Sequence, residues 1–188
     1  MNIKILLFNN QIYGLTKGQY SPTSEQGKVT GSTPAGSVDY PFNPLSVALG
    51  AEATFVGRAI DTDKPGLVSV LRRAAAHKGT AFVEILQNCN IYNDGAFDFV
   101  REEKENRLYL EQGQPVGNTG IVHDETDFAT AFALSRVTIE THGVVPLGVY
   151  RDVPRDSYDE LVQAQLENAK GVRDLAALVG SGDTWSIT

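Results

Sequence analysis

Apolar residues in the first half of the chain fall into short runs separated by a helical pattern. Residues 2–8, 54–60 and 80–86 are almost continuously apolar, which is typical of parallel strands covered on both faces. Residues 65–77 instead place apolar side chains at three- and four-residue spacing, as in a helix with one buried face. The positions with this spacing are Leu67, Val70, Leu71, Ala74 and Ala75.

Each predicted helix in this part has a capping residue in front of it. Asn43 precedes a short helix over residues 44–51, and Asp63 precedes the longer one. The order strand, long loop, helix, strand, helix, strand indicates an α/β fold with an open parallel sheet. Ligands of such sheets lie beyond the carboxyl ends of the strands. We therefore expect the loops after Phe8 and Leu86 to face a ligand site.

The pattern changes after residue 100, and we predict two parts. Residues 1–100 form the parallel-sheet domain, and residues 101–188 form a mixed α+β carboxy-terminal extension. The elements predicted in this extension are short strands or a hairpin at 107–110 and 116–122, a helix at 127–136, a strand at 145–150 and a helix at 157–170.

Composition excludes several classes of function. The chain is 41% hydrophobic and 21% charged, as in globular domains, and its formal net charge is −7. The longest run of basic residues is the pair Arg72 and Arg73, which argues against binding to nucleic acid or to an acidic membrane surface. No apolar stretch approaches the roughly 18 residues of a membrane span. Cys89 is the only cysteine, so no intrachain disulfide can form, and we predict a cytoplasmic protein.

Asn9 and Asn10 directly follow the first predicted strand. An Asn pair at a strand end is ordinarily a turn, because Asn tolerates left-handed backbone. The alternative is a magnesium site, since an Asn side-chain oxygen and a nearby backbone carbonyl could bind Mg²⁺ together with phosphate and water. The residues alone leave both interpretations open.

Cys89 and the histidines do not by themselves define a site. A lone cysteine is usually a small buried hydrophobe, and a four-iron cluster needs about four thiolates. His77, His123 and His142 are far apart in the pattern of elements. We nominate none of them as a catalytic acid or base.

Two longer segments carry a resemblance. Residues 9–19 read Asn-Asn-Gln-Ile-Tyr-Gly-Leu-Thr-Lys-Gly-Gln, and residues 84–97 read Glu-Ile-Leu-Gln-Asn-Cys-Asn-Ile-Tyr-Asn-Asp-Gly-Ala-Phe. Both resemble the β subunits of 2-oxoacid:ferredoxin oxidoreductases, which are thiamine-diphosphate enzymes. The Asn-Asn pair is similar to the end of the thiamine-diphosphate motif, whose Gly-Asp-Gly beginning lies upstream in that family. The resemblance implies a thiamine-diphosphate-binding fold.

The resemblance also implies roles for individual residues. The side-chain oxygen of Asn10 and the backbone carbonyl of Ile12 would bind the Mg²⁺ that bridges the diphosphate. Gly14 would let the backbone pass close to the cofactor. Leu15 and Lys17 would face the 2-oxoacid, with the Lys17 ammonium meeting a carboxylate. From the residues alone, Lys17 could equally be a solvated loop lysine.

Cys89 would supply one thiolate to a four-iron, four-sulfur cluster. The implied reaction is oxidative decarboxylation of a 2-oxoacid with coenzyme A, passing electrons to ferredoxin, in a complex with an α subunit. Residues 19–24 resemble the bacterial subgroup that acts on 2-oxoglutarate rather than pyruvate.

The sequence also departs from the family pattern. It has no Gly-Asp-Gly-Asp block, no Cys-x-x-Cys pair and no third cysteine. An apparently buried strand at residues 2–8 has no element before it. We therefore expect an amino-terminally truncated β subunit. The alternative is a non-catalytic remnant that acts at most as a subunit-interaction module.

Overall fold

The computed structural model describes residues 1–169, 174–182 and 186–187. The chain divides into two units, Met1–Arg155 and Asp156–Thr188. The strands of the first unit are β1 (Lys4–Asn9), β2 (Ile12–Tyr13), β3 (Gln19–Tyr20), β4 (Phe55–Ile60), β5 (Ala81–Leu86), β6 (Arg107–Tyr109) and β7 (Val145–Asp152). Its helices are α1 (Pro44–Gly50), α2 (Lys64–Ala76), α3 (Asp98–Arg101), α4 (Phe128–Ser135), α5 (Ile139–His142) and a 3₁₀ turn at Lys104–Asn106.

The main sheet has the strand order β1-β5-β4-β7-β6. Strands β1, β5 and β4 are mutually parallel, which confirms the predicted α/β fold with a mostly parallel sheet. Strand β7 runs antiparallel to β4. Asn9 lies opposite Leu86 in the register of β1 and β5. The loops that follow these two strands therefore leave the sheet side by side.

Apolar side chains cover both faces of the central strands. Phe55 packs with Val70 and Ala74 of α2 on one face. Val56, the next residue along β4, packs with Leu134 of α4 and with α1 on the other face. All six residues of β4 are buried, which explains why its sequence is apolar without alternation.

The prediction that the first strand is buried is wrong. Ile5 is 45% exposed, Leu6 42% and Phe8 56%. The physical reason is position, because β1 lies at the edge of the sheet and its hydrogen-bonded neighbour within the described residues is β5 alone. The apolar sequence indicated only that both faces of this strand could be buried. Among the described residues, no helix or strand buries Ile5, Leu6 and Phe8.

The helix caps follow the prediction. The side chain of Asn43 accepts a hydrogen bond from the Ser46 amide at 2.9 Å, and Asp63 accepts one from the Gly66 amide. Asp127 caps α4 in the same way. No helix among the described residues is long and apolar enough to cross a membrane.

Residues 116–122 form no regular strand but make a hairpin-like turn, which is one of the two alternatives predicted for them. The antiparallel bridge between Pro115 and Val122 is flanked by bonds from the Val116 amide to the Ile121 carbonyl at 2.8 Å and from the His123 amide to the Gln114 carbonyl at 2.9 Å. Because β6 and β7 belong to the same sheet as β4, the sheet continues across the boundary predicted at residue 100, and that domain division stays a prediction.

The second unit contains helices α6 (Tyr158–Asn168) and α7 (Leu175–Val179). Ser157 caps α6 in a reciprocal pair with Glu160. The predicted helix extended to Lys170, which lies outside the described residues.

The buried His123 is expected to make the stability of the first unit sensitive to acid. It is fully buried, its Nε2 donates to the carbonyl of Val149 at 2.9 Å, and its Nδ1 has no hydrogen-bond partner. Burial lowers the pKa of His123 below its ordinary value. On acidification, His123 therefore takes up a proton at a higher pH in the unfolded chain than in the folded chain. Its contribution to the free energy of unfolding is fully present above about pH 6.5 and is lost as the pH falls below that value.

We expect His123→Gln, whose amide can still donate to the Val149 carbonyl, to flatten this acid-side loss. The measurement is the urea midpoint of unfolding between pH 7.5 and pH 5, values that bracket the ordinary histidine pKa of about 6.5. An identical pH dependence in the wild type and in His123→Gln would contradict a buried, neutral His123.

Candidate functional site

The loops after β1 and β5 are hydrogen-bonded to each other. The side-chain amide of Asn93 donates to the backbone carbonyl of Asn10 at 2.9 Å. Lys28, from the long loop after β1, donates to the side-chain oxygen of the same Asn93. Asn93 is only 6% exposed. The two segments that carry the sequence motifs thus meet at the carboxyl edge of the sheet, as expected.

The turn after β1 is fixed by side-chain hydrogen bonds. The buried Asn9 accepts bonds from the Gln11 amide at 3.1 Å and from the Thr23 hydroxyl at 2.7 Å. Gln11 adopts a left-handed backbone, with φ +55°, and the Ser24 hydroxyl donates to its carbonyl. A non-glycine residue is held in this conformation only when its surroundings favour it.

Asn10 and Ile12, the two residues predicted to bind magnesium, lie in that same turn. The Asn10 side-chain oxygen accepts a long bond of 3.3 Å from the Ile12 amide and keeps a lone pair for a cation. Such oxygens suit Mg²⁺, which takes about six hard ligands. No group of three or more His, Cys, Asp and Glu side chains able to hold a metal occurs among the described residues. The remaining ligands of such an ion must therefore come from phosphate, water or other chain segments.

Gly14, Leu15 and Lys17 lie in the tight connection between β2 and β3. The Lys17 amide donates to the Gly14 carbonyl at 3.0 Å, and Lys17 has φ +72°. Leu15 is 99% exposed, and the Lys17 side chain is also exposed. The two residues predicted to face the substrate thus stand together at the tip of a hairpin.

Cys89 lies beside this hairpin with its sulfur in a set of backbone N–H groups. The backbone N–H groups of Tyr92, Ile91 and Asn93 lower the pKa of Cys89, and that of Tyr92 does most. The Asn93 N–H also donates to the backbone carbonyl of Cys89 at 2.9 Å. A thiolate stabilised in this way is the form that binds iron. The chain has one cysteine, so the other ligands of any cluster must come from outside it.

The hairpin packs directly on the Cys89 loop. A Cβ atom on Gly14 would lie 3.9 Å from the Cys89 sulfur, an ordinary contact. At Gly18, which has φ +94°, a Cβ would lie only 2.9 Å from the Tyr92 ring. Gly18 must therefore be glycine, and Tyr92 connects the hairpin to the amides around the Cys89 sulfur.

The sequence did not predict a row of buried polar side chains that crosses the sheet to the Asn9 turn. The Glu84 carboxylate accepts bonds from the Asn9 amide and from Arg58 Nε, both at 2.8 Å. Arg58 Nη1 donates to the Tyr150 hydroxyl at 3.2 Å. Tyr150 in turn donates to a backbone carbonyl, and burial raises its pKa to about 12. We call these four residues the polar row.

A cavity opens at the end of the polar row. Its volume is about 360 Å³, and its walls include Asn9, Gln11, Arg58, Glu84 and Arg136. Asn9, Glu84 and Arg58 of the polar row thus line this cavity together with Gln11, at the edge where an α/β sheet binds its ligands.

Comparison with known proteins finds a matching family model and similar sequences. Residues 1–85 match the family model described as "Thiamine pyrophosphate enzyme, C-terminal TPP binding domain". The chain is 47% identical to the 2-oxoglutarate oxidoreductase subunit KorB of Mycobacterium tuberculosis, over 100% of this chain and 60% of the relative. It is 34% identical to subunit beta of the 2-oxoacid:ferredoxin oxidoreductase 1 of Aeropyrum pernix, over 85% of this chain and 50% of the relative.

A solved structure is also similar. It is a chain of 2-oxoglutarate:ferredoxin oxidoreductase from Magnetococcus marinus, with 2-oxoglutarate, coenzyme A and succinyl-CoA bound. The TM-score is 0.77 at 29% identity, and the match covers 97% of this chain and 59% of that one. The chain thus spans at most 60% of the length of these three relatives.

Proposed function

Because this chain belongs, over the length that it spans, to the family of 2-oxoacid:ferredoxin oxidoreductase β subunits, we propose that it takes part in the oxidative decarboxylation of a 2-oxoacid. The reaction forms an acyl thioester of coenzyme A, releases carbon dioxide and passes electrons to ferredoxin. Thiamine diphosphate supplies the ylid and the electron sink for this chemistry. The observation that carries the proposal is the meeting of the Asn9–Asn10 turn with the Cys89 loop through Asn93.

In this proposal the turn after β1 holds the diphosphate end of the cofactor. Asn10 gives its side-chain oxygen and Ile12 its backbone carbonyl to Mg²⁺, with the remaining ligands from phosphate, water and a segment that this chain does not carry. Gly14 lies where the backbone passes the cofactor. The hydrogen bonds made by Asn9 keep this turn in place.

The hairpin tip binds the substrate, and the cysteine loop binds the iron–sulfur cluster. Leu15 and Lys17 face the 2-oxoacid, with the Lys17 ammonium paired with a carboxylate. Cys89 is one ligand of a four-iron, four-sulfur cluster, and the N–H groups around its sulfur favour the thiolate. The packing of Gly14 against Cys89 would place cofactor and cluster close together.

We further propose 2-oxoglutarate as the substrate, since KorB and the Magnetococcus enzyme are both named for it. The partners would be an α subunit, coenzyme A and ferredoxin, and the compartment the cytoplasm. The complete activity requires what we call the completed enzyme. This is the present chain joined to an upstream segment that supplies the rest of the diphosphate site and the other cysteines, assembled with the α subunit.

The test compares the 188-residue chain with the completed enzyme by calorimetric titration of thiamine diphosphate in the presence of Mg²⁺. We expect weak or undetectable binding to the isolated chain, because it carries only part of the diphosphate site, and clear binding to the completed enzyme. Micromolar binding to the isolated chain would mean that its ligand set is not partial. No binding to the completed enzyme would favour the alternative, a non-catalytic remnant that serves only subunit interaction.

A further inference from the structure

We propose that Glu84 is a positioning residue for the cofactor turn, acting through Asn9. The inference rests on the proposed function, because it assigns the Asn10–Ile12 turn to magnesium and diphosphate. It goes further in naming the side chain that sets the shape of that turn from inside the sheet. Glu84 is 1% exposed and touches Asn9 rather than the proposed ligand site.

The polar row fixes which way round the Asn9 amide points. An ionised carboxylate only accepts hydrogen bonds and a guanidinium only donates them. The Glu84 carboxylate is paired with Arg58 Nε at 2.8 Å, so it receives the NH₂ end of Asn9 and not its oxygen end. The oxygen end of Asn9 must then face the other way, where it accepts from the Gln11 amide and the Thr23 hydroxyl.

That orientation supports a strained turn. Gln11 has φ +55°, a conformation that is unfavourable for a non-glycine residue. The bond from its amide to Asn9 offsets part of this cost. If the Asn9 amide turned round or lost its anchor, Gln11 would relax toward negative φ, and the Asn10 oxygen and Ile12 carbonyl on either side would move with it.

The position of the ion pair favours a role of this kind. Glu84 and Arg58 face each other in register on β5 and β4, and both are buried in a sheet that is otherwise apolar at these strands. Replacing a buried ion pair by apolar residues is often neutral or stabilising, whereas removing one partner alone is strongly destabilising. Stability alone therefore does not require charges here, but the orientation of Asn9 requires an acceptor at residue 84.

This contrast defines the experiment. Two double variants, Arg58→Met with Glu84→Leu and Arg58→Met with Glu84→Gln, both remove the ion pair without leaving a buried charge. Only the Gln variant keeps an oxygen that can accept from Asn9. In the completed enzyme, we expect the Leu variant to bind thiamine diphosphate with Mg²⁺ about tenfold more weakly, as for one lost hydrogen bond of the turn. The Gln variant should stay near the wild-type affinity.

A structural role alone would move both variants together. We therefore expect the loss in the Leu variant to appear in the apparent KM for cofactor, with kcat at saturating cofactor largely retained. Tyr150→Phe is the matched control, because it disturbs the far end of the polar row and leaves Glu84 in contact with Asn9. Its cofactor affinity should be unchanged even where its melting temperature falls.

Hydrogen exchange of the Gln11 amide in the cofactor-free chain provides a second measurement. It should speed up in the Leu variant and stay slow in the Gln variant, whether or not the proposed function is correct. Thr23 is partly buried, and its hydroxyl donates to the Asn9 oxygen. Thr23→Val, which removes that hydroxyl, should therefore speed the exchange of the Gln11 amide to a lesser degree, and Thr23→Ser, which keeps it, should not.

Equal cofactor affinity and equal exchange in the two double variants would overturn the positioning role of Glu84. If the completed enzyme with wild-type residues binds no thiamine diphosphate, the proposed function fails instead, and the exchange of the Gln11 amide still decides the role of Glu84.

Discussion

Replacing Cys89 by Ser in the completed enzyme is expected to remove the proposed four-iron, four-sulfur cluster and, with it, most of the reduction of ferredoxin. The amides of Tyr92, Ile91 and Asn93 stabilise a thiolate at this position, and a serine hydroxyl cannot replace it as a ligand of comparable strength. Thiamine diphosphate binding should be largely retained, because the diphosphate turn is held by Asn9. Iron and sulfide analysis, with calorimetry for the cofactor, separates the two effects.

Ile91→Ala is the control for this substitution. The Ile91 side chain is 76% exposed, and its loss leaves the backbone N–H in place, so the iron content should stay at the wild-type value. An unchanged iron content in Cys89→Ser would contradict the assignment and make Cys89 a structural thiol.

Replacing Lys17 by Ala is expected to lower kcat/KM for 2-oxoglutarate by about tens-fold in the completed enzyme. Truncating one member of a charge pair that is desolvated in a complex costs on the order of 2–5 kcal/mol. Lys17 is exposed in this chain, so the desolvation must come from the bound substrate and the α subunit. For pyruvate, which lacks the distal carboxylate, kcat/KM should fall less if Lys17 contacts that carboxylate in 2-oxoglutarate.

Thr16→Ala tests whether any change at the hairpin tip has this effect. Thr16 is the exposed neighbour of Lys17 and carries no charge, so its specificity constants should change little. Equal losses for 2-oxoglutarate and pyruvate in Lys17→Ala would assign Lys17 to the carboxylate that all 2-oxoacids share. No loss with either substrate would place Lys17 in solvent and remove it from the site.

The fold could be predicted where the pattern was strong and local. The helical spacing after Asp63 and the apolar runs on either side predicted α2, β4 and β5 to within one or two residues. The burial of β1 could not be predicted in the same way. Hydrophobic periodicity indicates which side chains can be buried, whereas the presence of a covering layer depends on which other segments are in the chain.

The grouping of the candidate site residues was predicted only in part. The strand order predicted that the loops carrying Asn10 and Cys89 meet at one edge of the sheet, and the structure confirms this. The metal, cofactor and substrate roles of Asn10, Ile12 and the hairpin tip stay predictions. Glu84 and Arg58 were missed. Each is the only charged residue of its own strand, and a charge inside an otherwise apolar strand was a usable signal.

Recognising that these two charges form a pair required the register of β4 and β5, which the structure alone provides. The contact made by Asn93 was not predicted from the sequence either. Its contact with Asn10 spans 83 positions of the sequence, a separation at which a local pattern carries no information about contact.

We propose that this chain supplies part of a thiamine-diphosphate site for 2-oxoacid oxidation. Ferredoxin reduction by the completed enzyme, measured with 2-oxoglutarate and coenzyme A and with or without added thiamine diphosphate, tests this proposal. We expect reduction that requires 2-oxoglutarate, coenzyme A and thiamine diphosphate and that yields a coenzyme A thioester. Absence of reduction, or reduction that is independent of thiamine diphosphate in an enzyme freed of the cofactor, would contradict it.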